Sequence, residues 1–347
     1  MGESKQTQLT VSVIMPVRNE ADFIERSFRS VLAQDYPHAL LEIIIADGLS
    51  TDATRDLIES MKASSDIAIR IVDNPELIAS TGLNRAIAVA EGEIIVRVDG
   101  HCEISADYVA NCVRLLKQNK AEGVGGPIET IGENLPARAI SVAMSSSFGV
   151  GGSAFRCISD REMFVDTVAF PGYRSEVFRK IGLFNEGLVR NQDDEFNYRL
   201  RKSGGRILLS PDIRSKYYSR SNFRNLWRQY FQYGYWKVRI LQLHPRQMSL
   251  RQFVPLGFVT AIIVLGFLAL VSSFAGWALF AGLFVYLFTG SAAASAAIGR
   301  IGIKGLPLVI LAFIILHVSY GSGFLVGLFV FHRKWIRPDA PAANTHA

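Results

Sequence analysis

Cysteine is scarce in this chain, with Cys102, Cys112 and Cys157 the three in 347 residues. Their spacing fits neither a disulfide framework nor a zinc site, and it suits a reducing compartment. A signal peptide is missing too: the first nine residues, MGESKQTQL, are polar, and the apolar run at 11–17 is too short. Glutamine at position 6 fails the myristoylation pattern. Together these absences lead to the expectation that the N-terminal part stays in the cytoplasm. The net charge is +6, yet no zinc knuckle, RNA-recognition motif or lysine-rich tail accompanies it, which argues against nucleic acid as a partner. An anionic membrane surface or a phosphate-bearing substrate fits that charge better. The first strand-to-helix turn has no GxGxxG, which disfavours a dinucleotide cofactor.

Charge itself runs out near the C-terminus. From Val254 to Phe331 only Arg300 and Lys304 are charged. The stretches 254–274, 277–298 and 306–331 are each long enough to cross about 30 Å of hydrocarbon. Basic residues cluster at 199–251, where a membrane protein keeps its cytoplasmic charge. Arg300 and Lys304 suit a cytoplasmic loop if the first two stretches form a hairpin. A full third span would then carry His332, Arg333, Lys334 and Arg337 to the far side, against the positive-inside tendency. A break at Tyr320-Gly321-Ser322-Gly323 would instead make a re-entrant pair, and both readings stay open. Asn222 to Leu243 has apolar residues at helical spacing with aromatics beside Arg and Lys. It reads as an interfacial helix or as a helix packed on its own domain. The expected organisation is a catalytic domain over 1–219, an amphipathic helix region over 220–250 and a membrane module over 251–347.

The first 130 residues alternate two periods. TVSVIMP, LEIIIAD, IAIRIVD and EIIVRVD read as strands, and 21–34, 51–61, 79–90 and 106–119 as helices, with Ser50 or Thr51 a cap for the second. Alternating strands and helices imply an α/β fold with a mostly parallel, Rossmann-like sheet. Such sheets bind ligands at the carboxyl ends of their strands. Those ends read Pro16-Val17-Arg18-Asn19-Glu20, Asp47-Gly48, Asp73-Asn74-Pro75 and Asp99-Gly100-His101. One aspartate there is an ordinary turn former; three along one edge suggest a site. Residues 130–190 read as loops around a short helix, 196–202 as a helix and 206–209 as a strand.

Four passages, VSVIMPVRNEADFIERSFRSVLAQDYP, EIIIADGLSTDAT, RVDGH and NQDDEFNYRLRKSG, occur in this order. Together with the apolar C-terminal part they resemble the large inverting GT-A glycosyltransferase family that includes cellulose, hyaluronan and polyprenyl-phosphate sugar synthases. The resemblance implies a nucleotide-sugar donor whose base is held by Pro16, Val17, Arg18, Glu20 and Asp47. A carboxylate can accept a base N–H; Glu20 also reads as a helix N-terminal acid. Asp99 and His101 stand at the outer positions of the family's metal-binding DxD. Asp99 would contact ribose or metal, and the implied cofactor is Mn²⁺ or Mg²⁺. Histidine in place of the second Asp suits Mn²⁺ better than Mg²⁺, and it also reads as a residue that merely hydrogen-bonds nearby. Asp193 matches the family's catalytic Asp and is implied to be the general base, with Gln192 in place of the usual Glu. Asp194 and Glu195 also read as an acidic first helical turn. Processive members carry QxxRW; here Arg224-Asn225-Leu226-Trp227-Arg228-Gln229 stands instead, which argues against a polymer-extruding channel. Asp194, Arg228 and Gln229 are the expected acceptor-side or pyrophosphate-side residues. The implied reaction is inverting transfer of one sugar, glucose from UDP-glucose, onto a hydroxyl of a polyprenyl-linked saccharide at a membrane. Alternatives are a polyprenyl-phosphate sugar synthase and a non-catalytic membrane scaffold.

Overall fold

The computed structural model describes residues 8–118, 121–156 and 160–336. Cys157, Arg337 and the polar start at 1–7 lie outside the described residues. Cys102 and Cys112 are buried free thiols. The strands in chain order are β1 (Val11–Val17), β2 (Leu41–Asp47), β3 (Ala68–Asp73), β4 (Ile94–Arg97), β5 (Cys102–Ile104), β6 (Gly123–Gly126), β7 (Ile128–Ile131), β8 (Met163–Phe164), β9 (Ala169–Arg174), β10 (Ile207–Leu209) and β11 (Ser215–Tyr218). The helices are α1 (Ile24–Leu32), α2 (Thr54–Lys62), α3 (Ala79–Ala88), α4 (Tyr108–Lys117), α5 (Leu135–Met144), α6 (Ser147–Val150), α7 (Ser175–Ile181), α8 (Gln192–Lys202), α9 (Phe223–Leu243), α10 (Val254–Leu268), α11 (Ser273–Ser295), α12 (Ile298–Ile301), α13 (Leu306–Val330) and α14 (Arg333–Ile336).

Two compact units divide the chain. The first takes Met1–Glu129 and Ile158–Tyr217, the second Thr130–Cys157 and Tyr218–Ala347. Sequence reading sets the boundary at 219 and keeps 130–157 with the catalytic part; in the structure that segment belongs with the C-terminal helices.

The first unit is built on a sheet of order β3-β2-β1-β4-β9-β6-β10-β8 among the described residues. The β3-β2-β1-β4 half is parallel, as the alternation of strands and helices predicts. The apolar centres of β1 and β2 are buried because helices cover both faces of such a sheet. The middle departs from that pattern. Strand β9 runs antiparallel to both β4 and β6, through FPGYR, which sequence reading leaves as loop because Pro and Gly mark turns. Gly172 is accommodated because a Cβ there would already lie 3.2 Å from the Cys112 side chain, so α4 can press close to the sheet.

In the second unit α9 and α13 lie along each other. A Cβ on Gly234 would fall 2.0 Å from the Tyr320 carbonyl oxygen, and one on Gly323 would fall 2.1 Å from that of Phe231. Small residues thus bring the two backbones together. Val238, Phe324 and Phe331 form a buried cluster with Tyr235 and Trp236 against it. Along this face α9 is covered by α13.

The third apolar stretch is one unbroken helix, α13, through Tyr320-Gly321-Ser322-Gly323. Ser273–Ser295 and Ile303–Val330 are long and apolar enough to cross a membrane. The first stretch is not: α10 has 15 residues, about 22 Å of helix against about 30 Å of hydrocarbon, and a turn at 269–271 ends it.

Candidate functional site

The carboxyl ends of the parallel strands meet in register, Val17 beside Asp47 and Asp47 beside Asp73. Asp47 is fully buried. Its Oδ1 accepts from the Ser50 amide at 3.1 Å and the Ser50 hydroxyl at 2.6 Å. Arg55 reaches Oδ2 at 3.4 Å and Asp73 at 2.7 Å. Oδ2 therefore keeps most of the carboxylate's remaining capacity to accept a base N–H. Ser50 serves Asp47 rather than capping α2, whose start is instead held by Asp52 accepting from the Thr54 amide at 3.0 Å.

The loop after β1 is tied to the loop after β2. Asn19 adopts φ 52°, a left-handed conformation that asparagine tolerates. Its amide donates to the Ser50 hydroxyl and its side chain accepts from the Thr51 amide at 2.8 Å. The Glu20 amide donates to the Thr54 hydroxyl at 2.8 Å. Arg18 is exposed, with its methylenes beside Gly48. Val17 is buried and Pro16 partly so, so these two shape the loop through backbone more than side chain.

Beyond β4 the DxH turn carries two ion pairs. Arg97 forks onto Asp99, Nε to Oδ1 at 2.7 Å and Nη2 to Oδ2 at 3.0 Å. Burial would raise the Asp99 carboxyl, but the Arg97 charge and hydrogen bonds hold it below the usual range. Sequence reading missed Arg97. Its signal is a charge in an otherwise apolar strand, two residues before Asp99 and hence on the same face. Arg190, exposed, also contributes positive charge at Asp99. The Ser27 hydroxyl donates to the Asp99 carbonyl at 3.0 Å and fixes the turn. His101 Nδ1 lies 2.9 Å from Glu20 Oε1, and its ring sits edge-on to Tyr217, 5.3 Å between centroids. Burial would push the imidazole down; the hydrogen bond and charge of Glu20 outweigh it and push it up to about 9. Glu20, expected on the donor, is thus engaged with His101.

A divalent cation at this turn would find a carboxylate in Asp99 and, with Nδ1 committed to Glu20, the Nε2 of His101. A hard carboxylate with one imidazole suits Mn²⁺ and, less well, Mg²⁺. Among the described residues no group of three His, Cys, Asp or Glu is placed to hold an ion. The remaining coordination positions would therefore fall to substrate oxygens and water, as in phosphate-bound Mg²⁺ sites. The donor set fits on those terms.

Helix α8 begins at Gln192, after Asn191 at φ 63°, one residue before its acidic run and four before the start at 196 read from the sequence. Asp193, Asp194 and Glu195 occupy the first turn, where the helix dipole favours anions. They separate by role. Glu195 is buried and forked by Arg199 at 2.8 and 3.0 Å, while Arg199 also donates to the carbonyls of Ile181 and Leu183. That acid anchors the helix. Asp193 and Asp194 are only partly covered. Desolvation, then the like charge of Asp194, raise the Asp193 carboxyl above the ordinary range against the pull of Arg97. Arg97 thus feels both Asp99 and Asp193. Arg228 and Gln229 lie on α9 in the second unit; Arg228 is exposed and the Gln229 amide donates to the Tyr233 hydroxyl at 2.9 Å.

The model of glycosyl transferase family 2 matches residues 12–182. That match includes the DxH turn and stops before Asp193. The succinoglycan biosynthesis protein ExoA of Rhizobium meliloti (strain 1021) is 29% identical over 348 residues, 96% of this chain and 99% of that protein. A Methanococcus voltae glucuronosyltransferase, named for a dolichyl N-acetyl-alpha-D-glucosaminyl phosphate, is 30% identical over 268 residues, 74% of this chain and 82% of that protein. Among solved structures, the mannosyltransferase PcManGT of Pyrobaculum calidifontis, crystallised with GDP-Man and Mn²⁺, aligns with a TM-score of 0.54 at 18% identity. The alignment covers 96% of this chain and 89% of that one. At that identity the likeness is one of fold, the GT-A arrangement of strands and helices.

Proposed function

The chain belongs to glycosyl transferase family 2, and from that footing we propose that it transfers one sugar from a nucleotide-sugar donor, UDP-glucose, with inversion, onto a hydroxyl of a polyprenyl-linked saccharide. Asp193 takes the hydroxyl proton as the acceptor oxygen bonds to the anomeric carbon. The bond from that carbon to the diphosphate breaks, and its electron pair leaves on the diphosphate oxygen. One observation carries this reading. Asp193 is a partly accessible carboxylate with a raised pKa, in the same unit as the Arg97–Asp99 pair whose charge it shares. A base poised above the usual carboxylate range takes a proton more readily. Asp99 and His101 would hold Mn²⁺ or Mg²⁺, which when bound neutralises charge on the departing diphosphate. Asp47 and the 16–20 loop form the base end, and exposed Arg190 adds positive charge at Asp99.

A lipid-linked acceptor is supported by the dolichyl-linked substrate in the M. voltae protein's name, and saccharide assembly by that of ExoA. The two apolar helices would hold the enzyme at the membrane where such an acceptor resides, with the catalytic unit on the cytoplasmic side. The test incubates membranes bearing the full chain with labelled UDP-glucose, UDP-GlcNAc or GDP-mannose, and with either a polyprenyl-linked saccharide or polyprenyl phosphate. Label is expected from UDP-glucose into the saccharide, abolished by EDTA and restored by Mn²⁺ or Mg²⁺. Label entering only polyprenyl phosphate would make the chain a polyprenyl-phosphate sugar synthase. No transfer with any pair would leave the scaffold reading.

A further inference from the structure

Glu20 reads from sequence as a donor-binding residue or a helix-start acid, yet the structure aims its carboxylate elsewhere. Its Oε1 lies 2.9 Å from His101 Nδ1, and both side chains are largely buried, 20% and 16% exposed. The arrangement is held from three sides. The Glu20 amide is tied to Thr54 at 2.8 Å. Its carbonyl accepts from the Phe23 and Ile24 amides at 2.8 Å each, so the residue heads the turn that leads into α1. Gly100 leaves room for its stem, since a Cβ there would lie 3.1 Å from Glu20 Cγ. On the other side, the Tyr217 ring meets the imidazole edge-on.

A carboxylate accepting Nδ1–H makes Nε2 the nitrogen that gives up its proton when a cation binds, and it raises the basicity of that nitrogen. We propose that Glu20 is a positioning residue, holding His101 in the orientation and tautomer that offer Nε2 to a divalent cation at the Asp99 turn. This rests on the cation site proposed above. It moves Glu20 from the nucleotide to the cation's outer shell, and it makes the β1–α1 loop part of the cation site as well as of the base end.

The test measures Mn²⁺ affinity by electron paramagnetic resonance of the free ion, on the detergent-solubilised full chain with UDP. UDP binding in EDTA is measured in parallel, and thermal unfolding verifies each variant. Glu20→Ala is expected to weaken Mn²⁺ binding about 10–100-fold, the usual range for losing such a partner. Glu20→Gln should lose less, because its amide oxygen still accepts Nδ1–H. Adding Glu20→Ala to His101→Ala should cost nothing further, and UDP binding in EDTA should be unchanged. The inference is overturned if His101→Ala weakens Mn²⁺ binding while Glu20→Ala does not. It is equally overturned if Glu20→Ala weakens UDP binding in EDTA, which would return the residue to the nucleotide. If neither His101→Ala nor Asp99→Asn alters Mn²⁺ affinity, the cation site itself fails and the inference with it. Should Glu20→Ala not fold, Glu20→Gln carries the test, with a loss of about threefold or more expected and wild-type affinity overturning it.

Discussion

Two adjacent aspartates at the start of α8 carry opposite expectations. Asp193→Asn keeps the shape and removes the basicity. A positioned base contributes about 10²–10⁴-fold, so kcat should fall at least about 10²-fold with donor affinity little changed. Asp194→Asn should be milder, because its side chain points about 100° away on the same turn. The pH profile separates them further. The like charge of Asp194 helps raise Asp193, so Asp194→Asn should shift the acid limb of kcat/KM to lower pH. An unmoved limb would mean that another group is the base. The same shift bears on stability. A carboxyl raised in the folded state favours folding when protonated, and that contribution is lost as pH rises through the folded value. Asp193→Asn should therefore unfold at a higher temperature than wild type at pH 7, the difference narrowing in acid; a variant less stable at both pH values would contradict the raised pKa. The sequence exposes Asp99, His101 and Asp193 because they end strands or begin helices. It hides the Glu20 contact, which joins residues 81 apart, whereas the Arg97 fork shows only as a lone charge in an apolar strand two residues before Asp99.

At the scale of elements, the four parallel strands and the helices between them are legible because two periods alternate cleanly. Strand β9 and helix α5 are not. Pro171 and Gly172 imitate a turn where the chain in fact crosses the middle of the sheet. Helix α5 sits in a segment with few charges to show a polar face; its Asn134 cap, which accepts from the Ala137 amide at 2.8 Å, is its local signal. Helix α9 shows why an amphipathic pattern alone does not identify its partner: membrane surface and α13 would demand similar apolar faces. The glycine contacts distinguish them. Gly234→Val inserts atoms where the Tyr320 carbonyl already lies and should destabilise by about 1–3 kcal/mol through overpacking. Gly257→Ala, with nothing within 4 Å of its Cβ, should be neutral or slightly stabilising through helix propensity. Thermal unfolding of both in detergent checks the pair; equal melting temperatures would mean that α9 and α13 do not pack this closely.

For the molecule as a whole, the division into units changes what truncation should do. A chain ending after Leu250 keeps α9 and α5 but removes α13, against which both pack. It is expected to aggregate when expressed, and a monodisperse soluble product on size exclusion would refute that. Synthesis meets the same difficulty in every wild-type molecule. Ala139, Ile140, Ala143 and Met144 on α5 are fully or nearly fully buried in the finished protein, yet α13 begins only at Leu306. At 5–20 residues per second the ribosome needs about 8–30 s to make the intervening chain. Through that interval a finished segment waits for a partner not yet translated, although Tyr217, the last residue of the first unit, has already been made.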